Sequence, residues 1–202
     1  MDLLSYFEMQ HADSHASDVY GRPTLVDRVF GAPSDAQMRV RPAKGVNSLV
    51  WLLWHMARTE DAAVNLVIAA RPQVFDDEWA RRMNVRFRHI GSGMTDDEVE
   101  ELTADADIDG VRAYRSTVGR RTREVVLALP AAAWDEIVGV EDIDRAAVTG
   151  AFRDYRPGRA RPYSWQGDSR GQRLSGAAVG HNRMHLGEAI TISGLAGFGL
   201  GI

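Results

Sequence analysis

Residues 47 to 70 constrain this chain more than any other stretch. Asn47 or Ser48 can cap a helix there, and the apolar run that follows continues to about Ala70, where Arg71-Pro72 stops it. On a helical wheel Trp51, His55, Arg58, Thr59 and Ala62 line one side, with Leu52, Met56, Ala63 and Val67 beside them. His55 therefore falls at or next to a buried face, where a polar side chain needs a partner. A helix of this length must be packed by others.

Other helices can be read along the chain. Leu4, Phe7, Val19, Val26 and Val29 mark a first one between residues 3 and 30, with a break possible at Gly21-Arg22-Pro23. Thr95 and Glu98 form a capping box that opens a short helix through Leu102. From about Ile108 to Leu129, ended by Pro130, apolar positions recur with helical spacing. Residues 131 to 152 suit one or two short helices, and a last helix runs from about Leu174 to Leu195. Phe75 to His89 reads as a connecting segment. Residues 153 to 173 hold six arginines with Pro157, Pro162 and several glycines, which reads as a loop. No strand pattern or internal repeat is visible. The expectation is a soluble, all-α bundle in one domain, residues 1 to 202.

Net charge is -4, with acidic and basic residues intermixed, which gives no footprint for nucleic acid. The chain has no cysteine, so disulfides, zinc ribbons and a cysteine nucleophile are excluded. The N-terminus has no leader pattern, and the most apolar segment, residues 46 to 56, is far short of a membrane span. A cytoplasmic protein that binds neither nucleic acid nor membrane is expected.

His181 and His185 stand one turn apart in the last helix. Six histidines form pairs enough that roughly 0.15 at this spacing would arise by composition alone. The chain has two, the other being His11 and His15. That second pair sits among Gln10, Asp13, Ser14 and Ser17, which favours a solvated helix face over coordination. His55 alone could equally be a hydrogen-bonded core residue. Together with His181 and His185 on a separate helix, it suggests a three-histidine metal site in a bundle core, open on one side as catalytic sites are. Glu188 lies on the same side of the helix as both histidines, where it could orient a ligand, accept a proton or form a salt bridge. Thr59, one turn after His55, could bond near the site, while Trp51 and Trp54 suit core packing.

Trp-Leu-Leu-Trp-His-Met-Ala-Arg-Thr-Glu-Asp (51 to 61) and His-x-x-x-His-Leu-Gly-Glu (181 to 188), in this order, resemble the DinB/YfiT-like metalloenzyme superfamily, which includes mycothiol- and bacillithiol-dependent transferases. The resemblance implies an up-down-down-up four-helix bundle with long connecting loops, often a homodimer. It also implies zinc or nickel on His55, His181 and His185, and leaves His11 and His15 without a counterpart. By this resemblance a low-molecular-weight thiol would be added to a small electrophile. Arg153, Arg156 and Arg161 could grip the thiol's carboxylate, since guanidinium matches that geometry, although a solvated basic loop is as good a reading. Two alternatives stay open: a hydrolase using a metal-bound water, and a non-catalytic binding protein.

Overall fold

The computed structural model describes residues 1–153 and 165–199. Among these the fold is all-α; the single strand-like contact is an isolated bridge between Ile137 and Ser169. The main helices are α1 (Leu3–Ala12), α2 (Leu49–Asp61), α3 (Asp96–Asp105), α4 (Ile108–Ala128), α5 (Val140–Ala147), α6 (Arg170–Leu174) and α7 (His181–Leu195). Shorter helical turns lie between them. Among the described residues no helix is long and apolar enough to cross a membrane.

Helix α2 starts where the sequence places its cap: the Ser48 side chain accepts from the Trp51 amide at 3.2 Å. It passes without a break into the π-helical segment Ala62–Ile68. Every residue from Leu49 to Ile68 is buried, so the amphipathic reading understates this helix. It is the centre of the molecule, with α4 and α7 packed on it and α5 covering its π-helical end. A helix buried all round has no polar face to expose, so its charged residues must be satisfied inside. Asp61 meets this need. Its carboxylate accepts from the Val74 and Phe75 amides, both at 2.8 Å, from Asn65 at 2.7 Å and from the Tyr114 hydroxyl at 2.6 Å. These bonds turn the chain back after the stop at Arg71-Pro72. Arg58 completes the group, stacked 4.0 Å over the Phe75 ring and donating to the Arg88 carbonyl at 2.7 Å.

The capping box at Thr95 and Glu98 is present and opens α3, which extends past Leu102 to Asp105. Helix α4 keeps its expected bounds to within a residue. Three boundaries differ from expectation. The first helix ends at Ala12, well before Gly21, and residues up to 31 hold only short turns. A short helix, Asp77–Arg82, occupies part of the connecting segment. The last helical stretch begins at Arg170, because Ser169 and Gln172 form a capping box of their own. Arg170 and Arg173 therefore belong to a helix. This stretch runs through the π-helical segment Ser175–Gly180 directly into α7. Single π turns are frequent at functional sites, and this one ends at the residue before His181.

Candidate metal centre

Helices α2 and α7 bring His55, His181 and His185 together. One ring nitrogen from each lies within 4.8 Å of the others, and Nε2 of His55 is 3.1 Å from Nε2 of His181. Nitrogen ligands about 2.05 Å from a tetrahedral ion stand about 3.4 Å apart, so this spacing suits a small divalent cation. Two of the rings are oriented from behind. His55 Nδ1 donates to the Ile90 carbonyl, and His185 Nδ1 donates to Glu188 Oε2 at 2.7 Å. With the proton on Nδ1, each ring is left with a lone pair on Nε2. The Trp51 ring stacks on His55 with centroids 4.7 Å apart, and thus both fills the core and fixes the imidazole.

Burial keeps the rings of His55 and His181 neutral. It pushes the His55 pKa down to about 4, with the neighbouring His185 adding to the shift. His181 is pushed down to about 2, by burial first and then by His55 and His185. Neutral imidazole is the form that ligates metals. His181 Nδ1 has no hydrogen-bond partner among the described residues, so its ring is held through Nε2 alone. The donor set fits zinc or nickel, and three protein ligands leave room for an exogenous one.

Glu188 is half-buried. Oε2 takes the His185 proton and Oε1 accepts from the Asn47 amide group at 3.0 Å. The hydrogen bond from His185 holds its pKa below the usual carboxylate range, with Asn47 helping against the effect of burial. Arg153 pairs with Glu98 and donates to the Gly93 carbonyl at 3.1 Å. Arg156 and Arg161 lie outside the described residues. Thr59 is buried, and its hydroxyl has no hydrogen-bond partner among them.

Two contributors to the centre escape sequence reasoning. Asn47 was a candidate cap, yet Ser48 caps the helix and Asn47 reaches across to Glu188. Ile90 contributes a carbonyl, and the signal for it is the next residue, Gly91. At φ +100° a Cβ on Gly91 would lie 2.7 Å from the Trp54 ring and 3.1 Å from His55 Nδ1. Only glycine lets this loop close on the histidine. Asn182, next to His181, points its side chain to a second cluster.

That cluster corrects the reading of His11 and His15 as a solvated face, since both are fully buried. Their polar neighbours in sequence are local, whereas their partner, Glu60, comes from the last turn of α2, where it passes into the π-helical segment. Glu60 Oε1 is 2.8 Å from His11 Nε2, and Oε2 is 3.1 Å from His15 Nε2. Its oxygens also accept from Arg115 at 2.6 Å, Thr122 at 2.7 Å and Asn182 at 2.7 Å. Burial would raise the Glu60 pKa, but His15, Arg115 and His11 together hold it well below the usual range. Burial pushes His15 down to about 3, aided by Arg115 and opposed by Glu60. The nitrogens and oxygens of His11, His15 and Glu60 also lie close enough to hold an ion. Here the buried Arg115 guanidinium already neutralises the carboxylate, and a dication beside it would meet a like charge at low dielectric.

An all-α bundle whose core brings three imidazoles within reach of one another defines a class of helical protein with a candidate metal site. The family model of the DinB superfamily matches residues 21–189, and the chain belongs to that superfamily. A conserved protein of Enterococcus faecalis has the same fold, with a TM-score of 0.69 over 96% of this chain and 97% of that one. The two are 15% identical, so this likeness speaks for fold alone. No curated protein matches the chain in sequence.

Proposed function

We propose that this protein is a metal-dependent transferase that holds zinc or nickel on His55, His181 and His185 and adds a low-molecular-weight thiol, of the mycothiol or bacillithiol type, to a small electrophile. The observation that carries the reading is the pre-orientation of two of the three imidazoles, each with Nδ1 spent on an oxygen, which leaves the lone pair on Nε2. A divalent cation on these nitrogens would stabilise anionic sulfur and so favour the attacking form of a thiol at neutral pH. The chain's own groups do the rest. Ile90 and Glu188 hold the rings, Asn47 holds Glu188, and Glu188, ionised and half-exposed, can take up the proton that a thiol gives up. Arg153, Arg156 and Arg161 are the proposed grip for the carboxylate of the thiol, Arg153 by exchanging its Glu98 partner for it. The absence of cysteine means that the thiol comes from outside.

Untagged protein purified without added metal and then offered zinc or nickel tests the first half. About one equivalent is expected, and less than about a tenth would overturn it. The loaded protein is then given a panel of epoxides, activated halides and conjugated alkenes with mycothiol or bacillithiol. Consumption only when thiol is present supports the transferase, and turnover without thiol replaces it with a hydrolase.

A further inference from the structure

The Glu60 carboxylate is the point at which α1, α2, α4 and α7 meet: it accepts from His11 of α1, from Arg115 and Thr122 of α4 and from Asn182 of α7. Two of these helices carry the metal ligands. Glu60 follows His55 by five residues on α2, and Asn182 is bonded directly to His181 on α7. The segment that leads into His181, Ser-Gly-Ala-Ala-Val-Gly (175 to 180), is made almost wholly of small side chains and is π-helical. Such a segment has few side chains to interlock with its neighbours and fix its rotation about the helix axis. A rotation by one residue position turns a helical side chain by about 100° and would carry both histidines off the site.

We propose that Asn182, anchored by Glu60, is a positioning residue that sets the rotation of α7 and so presents His181 and His185 to His55. Both amide hydrogens of Asn182 are used, one on Glu60 Oε2 at 2.7 Å and one on the Ala178 carbonyl at 2.8 Å, the latter inside the π-helical segment. A carboxylate only accepts, so the amide nitrogen must face it and the side chain has one orientation. The link ties the small-residue turn before the site to a carboxylate at which four helices meet. Glu60 needs four other partner residues to be stable there, which explains why His11 and His15 are buried around it.

This inference rests on the metal reading above, and its test separates the two. Zinc affinity is measured by chelator competition, and the cobalt-substituted absorption spectrum is recorded, for wild type, Asn182→Ala and Thr122→Val. Each variant removes one donor from Glu60 and leaves His11, His15, Arg115 and one of Thr122 or Asn182 in place, so both are expected to fold. Only Asn182 lies on a ligand-bearing helix. Asn182→Ala should weaken zinc binding about tenfold or more and alter the cobalt spectrum, as loss of an outer support does at metal sites, while Thr122→Val binds within about twofold of wild type. Asn182→Ala within about twofold of wild type, or equal weakening by Thr122→Val, would overturn the proposal in favour of a purely structural network. Failure of wild type to bind zinc at all would overturn the metal reading itself, before any variant is compared.

Discussion

Nε2 of His55 and Nε2 of His181 lie 3.1 Å apart, although 126 residues separate them in the chain. His55 gives its proton to Ile90 through Nδ1, so in the absence of metal the His181 Nε2–H points at a lone pair. The contact is the spacing of a ligand pair. His185→Ala removes the third member from a bundle whose core does not depend on it. Metal content should fall from about one equivalent to near zero, while far-ultraviolet circular dichroism stays that of the wild type. Retention of metal by a folded His185→Ala protein would remove His185 from the site.

Gly91 is where the loop over His55 tolerates no side chain. Its φ of +100° and the 2.7 Å approach of a Cβ to the Trp54 ring both oppose alanine. Gly91→Ala should cost about 1–3 kcal/mol in urea unfolding and, by displacing the Ile90 carbonyl, weaken metal binding as well. A loss of stability with metal affinity unchanged would show that the carbonyl does not hold the ring.

Asp61, at the buried end of α2, satisfies two loop amides, Asn65 and Tyr114, beside the buried Arg58. Removing one member of such a group leaves the others buried without partners. Asp61→Ala should destabilise the protein by about 3–5 kcal/mol, or prevent its accumulation, whereas changes at exposed Glu124 should stay within about 0.5 kcal/mol. Chemical denaturation of both variants makes the comparison.

The pH dependence of stability follows from His15. Its folded-state pKa, about 3, lies below the 6.5 of an unperturbed histidine, so between these values the unfolded chain binds a proton that the folded chain refuses. The contribution is complete above pH 6.5 and is lost progressively as pH falls towards 3. Glu60, also depressed, adds a loss in the same direction beginning below its ordinary value of 4.5. Metal-free protein should therefore show a denaturation midpoint that drops below pH 6.5. His15→Gln, less stable at neutral pH, should show a shallower drop, and an identical slope in the two proteins would rule His15 out as a source.

Much of the fold can be read from local signals. The Ser48 cap, the Thr95–Glu98 box and the stop at Pro130 after α4 act within one turn of themselves, and such short-range chemistry is visible in a sequence. The capping box at Ser169 and Gln172 is equally local and was hidden only by the arginines around it. The two segments that carry the three converging histidines could be named because each is contiguous. His11 and His15 could not be interpreted this way. Their neighbours in sequence are polar, and nothing nearby reveals that Glu60, 49 residues beyond His11, will be buried against them.

The sequence by itself determined that the chain is helical, where α2 and α3 begin and α4 ends, and which three histidines can converge. Tertiary structure alone decided that α2 is enclosed on every side and that its charges are therefore paired internally. It also decided that a glycine loop and an asparagine support the histidines from behind. The physical reason is range: caps and helical periodicity act over a few residues, whereas burial, and the partners it forces on charged groups, is a property of the packed molecule.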